Sequence, residues 1–242
     1  MVDETGRVKT GIVGLDSILF GGIPQGNQTI IAGGPGAGKT LLTFEILYRN
    51  AKRGIPVAFI TFDEHPTKVL ENVKKTFAEF SDLEDLIKKG LFVVDGKEPA
   101  SDVFSQAYPD DYSFGNMVSY IEGVIQSNGA KVLGIDSLSV IKLMMNNKLA
   151  WRRSMVAMIS NLRRLGVTAI LTSDIMSSER KELRFSQEFF IFDGVIMLYQ
   201  SGQEDKRVLT MEVVKMRGSN HSWALSPYEI TAHGFKIFTI EQ

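Results

Sequence analysis

Short, continuous apolar runs alternate with stretches of helical period along most of this chain. Thr29-Ile30-Ile31-Ala32, Pro56 to Phe62, Leu91 to Val94, Lys131 to Asp136 and Val167 to Thr172 read as strands, Pro56 to Phe62 and Val167 to Thr172 as buried ones. Between them lie helical patterns. Leu41, Leu42, Phe44, Ile46 and Leu47 recur up to about Arg53; Val69, Leu70, Val73 and Phe77 follow Pro66; Leu83 and Leu86 precede the stop signal Lys88-Lys89-Gly90. A longer helix from Ser113 to Ser127 carries Met117, Tyr120, Ile121, Val124 and Ile125, and another starts at Ser154 with Met155, Met158, Ile159, Leu162 and Leu165 on one face, ending at Gly166. Gly14 to Phe20 reads as a short helix packed through Leu15, Ile18 and Leu19.

Beyond about Phe189 the pattern turns β-rich, through Val195 to Tyr199, Arg207 to Lys215 and Tyr228 to Phe238. This order predicts an α/β fold: a mainly parallel twisted sheet flanked by helices, with C-terminal antiparallel hairpins at one edge. Asp95 to Tyr112 has no periodicity and holds five acids against one Lys, so it is expected to be a surface loop.

At 242 residues, with 44% hydrophobic and 23% charged residues, the chain fits one large domain spanning 1–242. The formal charge of −1 gives no general bias towards nucleic acid or anionic membrane. There are no cysteines, which excludes disulfides, thiolate ligands and cysteine nucleophiles. The first residues lack an apolar signal core and no run reaches the length of a membrane span, so a soluble cytoplasmic protein is expected.

The chemistry concentrates in Gly33 to Thr40, GGPGAGKT, directly after the first strand. The spacing fits G-x-x-x-x-G-K-[ST], a phosphate-binding loop. A triphosphate must be approached closely by backbone N–H groups, and Gly34, Gly36 and Gly38 provide a turn free of side chains. The helix that follows adds the positive end of its dipole, Lys39 reaches the β and γ phosphates, and the Thr40 hydroxyl is placed for Mg²⁺. Gly34, Pro35, Gly36, Ala37, Gly38, Lys39, Thr40 and Leu41 are therefore the expected nucleotide-binding stretch, with ATP/ADP and Mg²⁺ as ligands. The plain alternative is a glycine-rich turn with a chance Lys-Thr, which would not demand strand, glycines, Lys and Thr in this order.

Asp136 closes an apolar strand about a hundred residues after Lys39, where a phosphate-loop hydrolase needs a carboxylate facing the Mg²⁺ shell. Thr40 and Asp136 are the expected metal residues; the competing account of Asp136 is a turn cap with Ser137. Asp63-Glu64 lies directly after the strand ending in Thr61-Phe62, on the same edge of the sheet, with Glu64 the candidate base that orients the attacking water. Equally, Glu64-His65-Pro66-Thr67 reads as a helix start in which acids complement the dipole. Thr172 and Ser173 either read the γ phosphate or are simple strand-end hydroxyls. His65, His221 and His233 show no metal spacing.

Taken with their flanks, these residues resemble the RecA-like ATPases, and within them the KaiC-like (RadA/KaiC-type) group. Thr10-Gly11-Ile12, Gly14-Leu15-Asp16 and Gly21-Gly22-Ile23-Pro24 are similar to the group's opening T-G-I-x-G-L-D and G-G-[IL]-P; Phe62-Asp63-Glu64 is similar to its acidic pair and Ile135-Asp136-Ser137 to its strand-ending D-S. Lys215-Met216-Arg217-Gly218-Ser219-Asn220-His221 looks like its K-[LMV]-R-G-[ST]-x-H, and Ile230-Thr231-Ala232-His233-Gly234 its I-T-x-x-G. The resemblance implies an ATPase whose nucleotide sits between subunits of a ring, commonly a hexamer. Lys215 and Arg217 would then stabilise γ-phosphate charge on the neighbour, with Ser219 and His221 at its nucleotide. Lys39, Glu64, Asp63, Arg217 and Lys215 make up the implied catalytic set. On the residues alone, Lys215 to Gly218 is a basic strand end before a turn. Two departures are visible: Phe189-Phe190 stand ahead of Asp193-Gly194 where clock-type members carry a Ser-Thr phosphorylation pair, and Ala232 replaces an acid before His233-Gly234.

Three functional readings compete. The first is a ring ATPase; the second a DNA-dependent ATPase of recombinase or helicase type; the third a nucleotide-gated regulator with a protein partner. The loop after Thr172 sets Asp174, Glu179, Glu182 and Glu188 against Arg180, Lys181 and Arg184, which is not net basic and gives the DNA reading little.

Overall fold

The computed structural model describes residues 6–97, 110–143, 145, 147–175, 187–202 and 207–239. A two-stranded antiparallel ribbon, β1 (Arg7–Val8) with β2 (Ile23–Pro24), brackets the short helix α1 (Leu15–Ile18). Next come β3 (Gln28–Gly33), α2 (Lys39–Lys52), β4 (Val57–Thr61), α3 (Pro66–Thr76), α4 (Leu83–Lys88) and β5 (Phe92–Gly96). Then follow α5 (Asp110–Asn128), β6 (Val132–Asp136), α6 (Leu138–Leu143), α7 (Lys148–Arg164) and β7 (Thr168–Asp174). A 3₁₀ turn at Gln187–Phe190 leads into β8 (Gly194–Ser201), β9 (Val208–Met216), β10 (Ser226–Thr231) and β11 (Gly234–Ile237).

The last nine strands form one sheet in the order β11-β10-β9-β8-β3-β7-β6-β4-β5. From β8 through to β5 every pairing is parallel, and from β8 to β11 every pairing is antiparallel. This matches the predicted architecture. Alternate residues of each central strand enter different cores: Ile31 packs with α2, α3 and α4 on one face, whereas Ile30 and Ala32 pack with α5 and α7 on the other. Both faces are covered, which explains why β3, β4 and β6 are buried at every position.

Some boundaries differ from the sequence expectation. Helix α7 starts at Lys148 rather than Ser154, because the Asn147 side chain accepts from Leu149 N at 2.8 Å and Trp151 extends the buried stripe by a turn. Helix α6 was not expected at all. Of the expected loop 95–112, Asp95-Gly96 belong to β5 and 110–112 to α5, while 98–109 lie outside the described residues. The last expected strand is a hairpin turning at Thr231 to Gly234. Leu41, Leu70 and Leu165 are only half-buried, at the margins of their helices' apolar faces.

Candidate nucleotide site at the carboxyl edge of the sheet

Four strands end side by side at one edge. The register sets Gly33 opposite Asp174 and Thr61 opposite Asp136, so the carboxyl ends of β3, β7, β6 and β4 converge there. This is where open α/β sheets bind ligands. The loop Gly34 to Gly38 leaves β3 and opens α2, with Gly36 and Gly38 in the left-handed region at φ 76 and 87. No side chain caps α2, so the N–H groups of its first turn are left for a ligand.

The loop is propped from behind. Tyr228 on β10 donates its hydroxyl to the Ala37 carbonyl at 2.7 Å, and burial holds that phenol protonated far above neutral pH. A Cβ on Gly38 would fall 2.7 Å from Ile230 Cδ1 and 2.9 Å from Phe235 Cζ, so the β10–β11 hairpin sits directly against the loop. The same hairpin holds Glu45 of α2, a fully buried carboxylate that accepts from Phe235 N at 2.7 Å and from Arg49. Burial raises the Glu45 pKa, with the Phe235 N–H and Arg49 opposing.

Lys39 is buried and its Nζ donates to the Gly33 and Gly34 carbonyls, each at 3.1 Å, while pairing with Asp174 Oδ1 at 2.8 Å. Thr40 Oγ1 donates to Asp136 Oδ2 at 2.8 Å, and Thr172 Oγ1 donates to the other oxygen, Oδ1. Asp136 is only 4% exposed, and that burial raises its pKa against the opposing hydroxyls; Asp63 raises it further and Lys39 lowers it. Asp63, at the open rim, is also raised, first by desolvation and then by Asp174 and Glu64. The sequence-predicted Lys39, Thr40, Asp63 and Asp136 thus share one electrostatic site. Thr172 is turned to Asp136, and among the described residues Ser173 Oγ reaches only the Asp174 carbonyl, at 3.5 Å.

Glu64 adjoins this group but its carboxylate is held by the helix that follows it, from Asn72 Nδ2 at 3.2 Å and Lys68 Nζ at 3.6 Å. The helix-start reading of this segment holds as well: His65 Nδ1 accepts from Thr67 N at 3.3 Å and Pro66 begins α3. Asp174 escaped sequence reasoning. Its position immediately after Thr172-Ser173 was the available signal, but pairing with Lys39 depends on the β3–β7 register.

Lys215, Arg217, Ser219 and His221 lie elsewhere. Gly194 pairs with both Thr29 and Met216, which puts the end of β9 at the amino edge of the parallel strands. The length of β3 separates the two edges by roughly 17 Å at the usual strand rise. Lys215 Nζ donates to the Phe190 and Phe192 carbonyls, and Arg217 reaches Phe190 O at 3.1 Å and Asp193 Oδ1 at 3.4 Å. Ser219 Oγ accepts from Arg7 at 2.7 Å; His221 is buried, its ring 4.6 Å from that of the exposed Trp223. Within one chain these residues and the phosphate loop do not meet.

The opening motif has its own physical basis. Asp16 accepts from Thr10 N, Thr10 Oγ1 and Gly11 N at 2.7, 2.8 and 3.0 Å, closing the turn that carries the chain into α1. Among the described residues there is no cluster of three or more His or carboxylate groups able to hold a metal, and no helix is long and apolar enough to cross a membrane.

The sequence agrees with known proteins over the same span as these features. A circadian clock oscillator protein KaiC from Picosynechococcus sp. is 31% identical over 97% of this chain, and KaiC 1 from Synechocystis sp. is 30% identical over 97%. The alignment covers 45% and 44% of those proteins, so this chain spans about half their length. A UPF0273 protein from Aeropyrum pernix is 33% identical over 98% of this chain and 94% of its own. A family profile described as "ATPase: KaiC" matches residues 8–242, taking in the phosphate loop, the strand-end acids and the basic segment after β9. The chain belongs to the KaiC family of ATPases.

Proposed function

We propose that this chain binds ATP with Mg²⁺ and hydrolyses it at a site completed by a neighbouring copy, in a closed ring with a hexamer as the expected size. The observation that carries this reading is the division of charge between the two edges of the sheet. At the carboxyl edge the acids Asp63, Glu64, Asp136 and Asp174 outnumber Lys39 and Lys68; at the amino edge Lys215, Arg163 and Arg217 surround Asp193. Complementary surfaces on opposite ends of one molecule favour head-to-tail association, which closes into a ring when the rotation permits.

In that arrangement Lys39 and the α2 N-terminus bind the phosphates with Gly34 to Leu41, and Asp63-Glu64 orient water, Glu64 as base. Lys215 and Arg217 arrive from the neighbour to meet γ-phosphate charge, with Ser219 and His221 beside its nucleotide. Mg²⁺ fits the donor set: the Thr40 hydroxyl and the Asp136 carboxylate, hydrogen-bonded at 2.8 Å, are hard oxygen ligands of the kind this ion takes alongside phosphate and water. When bound it would neutralise phosphate charge. A regulatory role towards a protein partner in the cytoplasm fits an assembly-dependent hydrolase. For DNA, Glu179, Arg180, Lys181, Glu182 and Arg184 lie outside the described residues, so that alternative rests on sequence alone.

Mixing tests the shared site. Arg217→Ala should keep ATP-analogue binding and lose turnover, Glu64→Ala should do the same, and the mixture should regain activity because some interfaces pair an intact base with an intact arginine. Turnover by a dilute monomer, or a mixture as inactive as its parts, would overturn the reading.

A further inference from the structure

We infer that Asp193 is a positioning residue that holds Arg217 in the orientation it presents to a neighbouring subunit, and that it ties this arginine to the strand carrying its own subunit's phosphate loop. The inference rests on the shared-site reading and gives Asp193 a role that reading does not assign. Asp193 is 7% exposed and stands between the 3₁₀ turn and β8. Its Oδ1 takes Arg163 Nη2 at 2.7 Å and Arg217 Nη1 at 3.4 Å; its Oδ2 takes the Gln28 N–H at 3.1 Å and Arg163 Nε at 3.4 Å. The backbone repeats the connection, with Asp193 N donating to Gln28 O and Arg217 N donating to Asp193 O, both at 2.8 Å.

Geometry decides what this arrangement does. Arg217 has five N–H donors, and the contacts to Asp193 and to the Phe190 carbonyl fix the guanidinium plane at two points on one side. The side chain remains 53% exposed, so the other donors face outward. A long arginine loses much rotamer freedom when it is held, and a plane fixed in advance keeps that loss out of the step in which the phosphate is engaged. Asp193 also offsets part of the repulsion among Lys215, Arg217 and Arg163, which burial makes harder to bear. Gln28 is the first residue of β3, whose last residue, Gly33, enters the phosphate loop. One strand therefore links the site a subunit owns with the arginine it lends.

The test compares Asp193→Asn and Asp193→Glu with Arg217→Ala. Each Asp193 variant should bind a fluorescent ATP analogue with wild-type affinity and lose kcat by about 10- to 100-fold, the scale of a misplaced catalytic group. Mixing Asp193→Asn with Glu64→Ala should restore turnover, because the defect travels with the lent arginine. Mixing it with Arg217→Ala should not. The double variant Asp193→Asn/Arg217→Ala should be no slower than Arg217→Ala alone. Wild-type kcat in both Asp193 variants while Arg217→Ala is inactive overturns this inference and leaves the shared site standing; full activity of Arg217→Ala overturns the shared site itself. If neither Asp193 variant folds, or if both lose analogue binding, Asp193 is a structural residue and the inference fails.

Discussion

Gly134→Ala and Gly123→Ala make the same chemical change in two places, and the structure gives them opposite signs. Gly134 lies in β6 beneath the phosphate-loop helix, where a Cβ would come within 2.8 Å of Leu47 Cδ1, 2.9 Å of Thr43 Cγ2 and 3.0 Å of Phe59 Cδ2. All three neighbours are fully buried, so none can swing into solvent. Removing a glycine stabilises by about 0.4–1 kcal/mol through the unfolded chain. Forcing a methyl into a packed core costs about 1–3 kcal/mol, so packing wins and the net loss is about 1–2 kcal/mol. For a chain of this size that lowers Tm by about 2–8 °C. Gly123, exposed on α5, has no heavy atom of the described residues within 4 Å of its added Cβ, and only the entropic and helical gain of about 0.5–1 kcal/mol remains. Its Tm should rise. Thermal unfolding by circular dichroism gives both shifts, and titration with a fluorescent ATP analogue gives a second readout: Gly134→Ala pushes on Thr43 and Leu47 of α2 and should weaken binding, whereas Gly123→Ala should not. A Tm for Gly134→Ala at or above wild type would refute the claim that β6 and α2 are in contact limited by this glycine.

Because burial raises Asp136 above the usual carboxylate range, the ligand-free site keeps its proton to higher pH and Mg²⁺-nucleotide binding must release it; affinity should climb with pH through that titration and then level off, with calorimetry in two buffers of different ionisation enthalpy detecting proton release that Asp136→Asn lacks. The sign for stability is opposite: a raised folded-state pKa contributes below the unfolded value and loses that contribution as pH rises through the folded one, so unliganded Asp136→Asn should gain on wild type at neutral pH in urea melts. Trp223 is 70% exposed beside His221 whereas Trp151 is buried, so nucleotide-driven assembly should shift emission to the blue and reduce acrylamide quenching, both changes vanishing in Trp223→Phe. Asn147→Ala removes the cap of α7 and should cost about 0.5–2 kcal/mol in chemical denaturation without altering ATP-analogue affinity.

What the sequence disclosed was local. The phosphate loop and the buried strands declare themselves within a few residues, because glycine placement and continuous apolarity are properties of neighbours along the chain. Asp136 was legible as a candidate because it ends such a run. Asp174 and Asp193 were not, since each acts through a partner set by strand register or helix placement: Asp174 through Gly33 across β3–β7, Asp193 through Gln28, Arg163 and Arg217. Thr172 shows the same limit, for its hydroxyl meets Asp136 across adjacent strands. The early start of α7 was legible in Asn147 and Trp151, but Arg152-Arg153 interrupt the stripe and hid the continuity. Leu138 to Leu143 is too short to show a period.

The contact from Tyr228 to the Ala37 carbonyl joins residues 191 apart in the chain. On the ribosome, the loop from Gly34 to Gly38 is therefore threaded out long before its supporting hairpin exists. Nucleotide, which can stabilise only a formed pocket, is of no help to the nascent polypeptide until residues 226–237 have emerged and docked. Until then the half-made chain has only its apolar strands to hold it, whatever the concentration of ATP around it.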